Sequence, residues 1–237
     1  MPEEINDLVD CLEVESKHEL GGRTYYIGLL WGKKVVLVFS RWGKVAAAST
    51  VSTLILKFNI TELIFTGVAG AIHYDLNIGD IVIGKNLYQH DMDARPLMVQ
   101  FEIPLLGKTY FETHQNQIDK ASNAANKFLT QTTISQLPLH EFNITKPQIH
   151  VGDIASGDKF FAKNEDKIAL QNALPNILCV EMEGAAVAQV CYEYQIPFTI
   201  IRTISDTADH QAELDFPKFI KAISSKYSEG ILKELLR

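Results

Sequence analysis

Strand-like apolar runs alternate with helical patterns along nearly the whole chain, and this alternation restricts the fold more than any other feature. "TYYIGLLW", "KVVLVFS", "ELIFTG", "DIVIGKNLYQH", "PQIHVGDIAS", "NILCVEM" and "FTIIRTIS" read as strands. Among them, "GKVAAASTVSTLILKF", "NQIDKASNAANKFL", "EDKIALQNAL" and "EGAAVAQVCYEY" read as helices, and "FPKFIKAISSKYSEGILKELL" as a closing amphipathic helix. "PEEINDLVDCL" opens the chain as a helix. Pro2 fits its first turn, Glu3 and Glu4 suit its positive end, and Ile5, Leu8, Val9 and Leu12 form one apolar stripe. Such alternation predicts an α/β domain with a largely parallel sheet. "IFTG" and "TIIRTIS" are apolar without interruption, as strands covered on both faces are. No linker divides the chain, so residues 1–237 are expected to form one domain, with 131–147 as a surface excursion. The 46% hydrophobic content suits a sizeable core.

Charge and cysteine use narrow the partners. With 29 acids against 22 bases the net charge is -7, and no Lys/Arg cluster stands out, which disfavours nucleic acid and anionic membranes. Cys11, Cys179 and Cys191 are odd in number and lack C-x-x-C spacing, so reduced thiols are expected. No run reaches membrane-spanning length, and "MPEEINDLVD" has no apolar signal core. A cytoplasmic location is the expectation.

In α/β sheets ligands collect outside the carboxyl ends of the strands. Four strands here run into "TGVAGAI", "SGDKFF", "EMEG" and "SDTAD". Each has an ordinary structural reading: a tight glycine turn, two core aromatics, acids suited to a helix dipole, and an N-cap. Together they describe a site for a neutral polar ligand with an aromatic ring. An aromatic platform and a proton-donating carboxyl suit a purine, and a carboxylate such as Glu183 suits a ribose diol. A further acid that activates water would complete the cleavage of an N-glycosidic bond through a cation-like sugar. The seven histidines show no ligand spacing and "HD" at 90–91 is isolated, so neither metal nor cofactor is expected.

In their order and spacing, "TGVAGAI", "SGDKFF", "VEMEGAAVAQV" and "RTISDTAD" resemble the 5′-methylthioadenosine/S-adenosylhomocysteine nucleosidase family of the nucleoside phosphorylase/hydrolase superfamily. "MPEEI" and "SRWGKVAAAST" resemble that family's first helix and first long internal helix. The resemblance implies a single α/β domain with a central mixed sheet flanked by helices, and a homodimer. It implies that Asp206, steadied by Ser205, protonates adenine N7. Phe160 would stack on the purine and the Phe161 backbone would read its edge. Glu183 would hold the ribose hydroxyls beside Met182. Glu4 would be the base for the attacking water, supported by Glu181 and Arg202. Val68, Ala69 and Gly70 would line the site through their backbone, and Met1, Trp42 and Phe216 would wall the 5′-alkylthio group. A loop around Ile103 and Pro104 would be lent by the neighbouring subunit. The chain departs from the family in three ways: Val68 stands where many relatives carry serine, Trp42 replaces an aliphatic residue, and the strand that precedes "MPEE" is absent.

Three rival readings exist. One is a hydrolase for another adenine nucleoside, such as aminodeoxyfutalosine. Another is a purine nucleoside phosphorylase, which commonly carries an arginine where this chain has Phe65 and Thr66. The third is a nucleoside-binding or storage protein that has lost catalysis.

Overall fold

The computed structural model describes residues 3–131, 134, 137–208 and 212–237, and gives the backbone alone for 3, 4, 6 and 212–215. The first described element is helix α1 (Glu3–Cys11). A meander of β1 (Leu12–Leu20), β2 (Arg23–Leu30) and β3 (Lys33–Leu37) follows, antiparallel throughout. Helix α2 (Lys44–Phe58) leads into β4 (Leu63–Ala71) and β5 (Ile81–Gln89). The short β6 (Phe111–Glu112) precedes α3 (Gln115–Leu129). Next come β7 (Ile149–Ser156), α4 (Asn164–Ala173), β8 (Ile177–Glu181), α5 (Gly184–Glu193) and β9 (Phe198–Asp206). The chain closes with α6 (Ala212–Phe219), a π-helical turn at Ile220–Ser224, and α7 (Ser225–Leu235).

The six-stranded sheet has the order β6-β5-β7-β8-β4-β9, with a further β5–β9 pairing. It is mixed, and its long ladders are parallel, as the alternation predicts. β4–β9, β5–β7 and β7–β8 run parallel, whereas β5–β6, β5–β9 and β4–β8 run antiparallel. The antiparallel pairings are short, and local periodicity does not report them, because it shows that a segment is a strand but not the direction of its partner. The mixed, helix-flanked sheet is the architecture that the family resemblance implies.

β9 is buried along its whole length, as its unbroken apolar sequence requires. One face of the β4–β9 region packs Ala69, Ile200 and Ile204 with Ala185, Val187 and Val51. The other packs Ile81, Ile83 and Ile201 with Phe128, Phe219, Tyr227 and Ile231. No described helix is long and apolar enough to cross a membrane.

Two readings of single segments change. "TGVAGAI" is not a turn: β4 continues through Gly67 and Gly70 to Ala71. The meander's first strand, "LEVESKHEL", was not anticipated. Only Leu12 is buried in it and most of its residues are exposed, so it carries no apolar face to betray it.

Along Leu63–Ala69, β4 pairs with β9 on one side, and β8 meets it only at Gly70 and Ala71. Among the described residues, the remaining edge of β4 opens into the cavity that holds the site.

Candidate active site

A cavity of about 570 Å³ lies where β4, β8 and β9 end. Its lining brings together Val68, Ala69 and Gly70 of β4, Phe160 and Phe161, Glu181 to Glu183, Arg202, Ser205 and Asp206, with Trp42 and Phe216. The four strand ends therefore converge, as the α/β pattern predicts. α1 contributes Ile5 and Leu8 to the wall. Glu4 lies on that helix one residue before Ile5, and its side chain is outside the described residues, as is the whole of Met1.

Asp206 ends β9 and is only 3% exposed. Ser205 Oγ donates to its Oδ2 at 2.7 Å, and the Ala208 N–H donates to Oδ1 at 2.9 Å. Gly70 makes room for this carboxyl, because a Cβ there would lie 2.8 Å from Asp206 Oδ1. The glycine thus serves close approach rather than chain reversal.

Glu181 and Glu183 have different surroundings. Glu181 is buried, and both its oxygens are fully engaged. It accepts from the Glu183 N–H at 3.1 Å, from the Gly184 N–H at 2.9 and 2.8 Å, and from the Ser156 hydroxyl. Arg202 adds Nε at 3.2 Å and Nη2 at 2.5 Å, both to Oε2. The Ala185 N–H is taken by Ser156 Oγ at 2.7 Å, so the first turn of α5 is satisfied by Glu181 and Ser156 together.

Glu183 accepts from the Gly43 N–H at 2.8 Å. Burial, and then the Glu181 charge, push its carboxyl up to about 7, against opposing pulls from Arg202 and from the backbone at Gly43 and Met182. A carboxylate held by these backbone groups, with a cavity in front of it, has acceptor capacity left for a ligand. The turn that supplies the N–H needs glycine, since Gly43 has φ +88°.

The aromatic pair divides its work. Phe161 is 7% exposed and packs edge-on against His90, as a core residue does. Phe160 is 43% exposed and borders the cavity. Phe216 stands between Phe160 and Trp42, with ring centroids 5.6 and 6.4 Å away in edge-to-face contacts. Trp42 is 56% exposed, so this aromatic wall sits at the cavity mouth.

The sequence reading missed the residues that tie the loops of the site together. Lys44 Nζ lies 2.6 Å from Asp91 Oδ1 and 3.1 Å from Gln89 Oε1. The Lys44 N–H donates to Asp158 Oδ1 at 2.8 Å, and the Asp158 N–H donates to Asp91 Oδ2 at 3.0 Å. This ring links the turn that holds Glu183 to the loop that carries Phe160. "HD" at 90–91 was its one visible trace. Ile103, expected in a loop lent to a neighbour, is instead 4% exposed within this chain's own core, whereas nearby Leu97, Val99 and Leu105 are exposed.

The strand ends of this α/β sheet gather two cavity-lining acids, an aromatic platform and a buried ion pair. The phosphorylase superfamily model matches residues 1–237. A 5′-methylthioadenosine/S-adenosylhomocysteine nucleosidase of Bacillus cereus is 34% identical over 99% of this chain and 95% of its own length. A solved nucleosidase of the same name from Neisseria meningitidis, in complex with methylthio-immucillin-A, superposes with TM-score 0.88 at 32% identity, covering 100% of this chain and 95% of that one. A futalosine hydrolase of Helicobacter pylori superposes with TM-score 0.84 at 31% identity, covering 100% and 94%. The chain belongs to the 5′-methylthioadenosine/S-adenosylhomocysteine nucleosidase family of that superfamily.

Proposed function

We propose that this chain hydrolyses the N-glycosidic bond of 5′-methylthioadenosine, S-adenosylhomocysteine or both, releasing adenine and the 5-thio-substituted ribose. The observation that carries the reading is the meeting of Asp206, Glu183 and Phe160 in one cavity, in a chain of this family. Asp206 is assigned to protonate adenine N7, so that the electrons of the C1′–N9 bond depart onto a neutral purine. Ser205 and the Ala208 N–H orient that carboxyl. Phe160 stacks on the base, and the backbone of Phe161 reads its edge. Val68, Ala69 and Gly70 line the base side, and Met182 packs beside the sugar. Glu183 accepts from the ribose hydroxyls. Glu4, on α1 at the cavity wall, takes the proton of the water that adds to C1′. Glu181 and Arg202 support that end as a mutually satisfied pair rather than as acid or base. Met1, Trp42 and Phe216 wall the alkylthio group, the last two through the edge-to-face contact already described.

A futalosine-type substrate is the second reading. It is favoured by the Helicobacter pylori hydrolase among the structural neighbours, at an identity and fit close to those of the nucleosidases. The test is adenine release, with and without phosphate, from methylthioadenosine, S-adenosylhomocysteine and aminodeoxyfutalosine in parallel. Rapid release from the first two supports the nucleosidase reading. Release from the third alone moves the assignment, and absolute dependence on phosphate overturns hydrolysis.

Two copies are proposed to assemble, because Val45 and Leu56 on α2 and the loop residues Leu97, Val99 and Leu105 all leave large apolar surface exposed. Light scattering of the purified chain reads this directly. The three free thiols fit a reducing compartment, so the cytoplasm is the proposed location.

A further inference from the structure

The parallel register of β4 and β9 sets Gly67 opposite Arg202 and Phe65 opposite Ile200. Side chains alternate faces along a strand, so positions 65 and 67 share the face of 200 and 202. Gly67 leaves its place on that face empty, and Arg202 lies across it: a Cβ at Gly67 would sit 3.0 Å from Arg202 Nη1. The guanidinium thereby reaches Phe65, with Cζ 4.4 Å from the ring centroid. Nε and Nη2 are held by Glu181, and Nη1 donates to the Ile201 carbonyl at 3.3 Å. Arg202 is 1% exposed although it borders the cavity.

Among the described residues two other cations border the cavity, and both are turned elsewhere. Arg41 Nη2 donates to the Gly22 carbonyl, and Lys159 Nζ lies 2.6 Å from Asp166. An oxyanion entering the cavity therefore meets a neutralised ion pair beneath an aromatic ring. The face of that ring is the negative end of its quadrupole. A tetrahedral oxyanion needs a guanidinium free to offer paired N–H groups.

We propose that Phe65, by covering Arg202, is the residue that keeps phosphate and similar oxyanions out of the site and leaves water as the nucleophile. This rests on the hydrolase reading above and assigns the choice of nucleophile to a side chain that touches neither base nor sugar. Phe65 is a specificity-determining residue acting through Arg202.

The test titrates inorganic phosphate, and separately sulfate, into the adenine-release assay of the wild type and of Phe65→Ala. The wild type is expected to be insensitive to both. Phe65→Ala is expected to acquire inhibition by both, with an inhibition constant about 10- to 100-fold lower, the worth of one or two charge-assisted hydrogen bonds. Phe65→Leu provides a second route that removes the aromatic face while keeping apolar bulk, and it carries the test if Phe65→Ala does not fold. Folded variants as insensitive as the wild type, or a wild type as sensitive as the variants, overturn the assignment of Phe65. No adenine from the wild type in phosphate-free buffer overturns the hydrolase reading itself.

Discussion

Glu181 and Glu183 are two residues apart at one strand end, yet they live in opposite circumstances. Glu181 is enclosed by Arg202, Ser156 and the first N–H groups of α5, and nothing is left for it to bind. Glu183 is held by the backbone at Gly43 and Met182, beside an open cavity, and its carboxyl is pushed up to about 7. The difference teaches that burial of an acid does not mark it as functional. What marks it is burial without enough partners, since that cost is repaid only when a ligand arrives.

The comparison breaks most visibly at Glu181. Glu181→Gln removes the charge that compensates a buried guanidinium, and a loss of about 3–5 kcal/mol in urea unfolding is expected. At Glu183 the same change acts on function instead. Glu183→Gln is expected to lower kcat/KM by about 10- to 100-fold through the lost charged acceptor for the ribose hydroxyls.

The pH dependence sharpens the contrast. Glu183 is raised in the folded state from 4.5 to about 7, so folding favours its protonated form. Its contribution to stability is present below 4.5 and is lost as the pH rises from 4.5 to about 7. Above that range Glu183→Gln should be more stable than the wild type by about 1–3 kcal/mol, and in strong acid the two should coincide, as melting across pH would report. The free protein's kcat/KM should fall about tenfold per unit below its Glu183 ionisation, and this limb should vanish in the glutamine variant.

The smallest effects concern support. Ser205→Ala removes one hydrogen bond to Asp206 and should cost about 1 kcal/mol, seen as roughly fivefold in kcat. Asp91→Asn weakens a partly exposed ion pair that joins two loops, and a rise in KM of about twofold to fivefold with kcat nearly unchanged is expected.

Much of this was legible in the sequence, for reasons that can be named. Strand ends such as "EMEG" and "SDTAD" announce themselves because polar groups after a buried apolar run need a purpose. The glycines of "TGVAGAI" are equally visible, but their meaning is not. Gly67 and Gly70 lie inside β4 and make way for Arg202 and Asp206, which come from β9, far along the chain. Nor does local pattern reveal which acid is spent, because Ser156 and Arg202 reach Glu181 across 25 and 21 residues. The Lys44–Asp91–Asp158 ring spans 114 residues and leaves no periodic trace. The exposed strand "LEVESKHEL" escaped for the opposite reason: it buries too little to have a pattern.

The most direct measurement is adenine release from methylthioadenosine by the wild type beside Asp206→Asn, in phosphate-free buffer. Asparagine keeps an oxygen for the Ala208 N–H, replaces the oxygen that accepts from Ser205 with an NH2 group, and has no proton to transfer. The account predicts normal folding and a fall in kcat of about 10²- to 10⁴-fold. A variant that folds and releases adenine at the wild-type rate would contradict it.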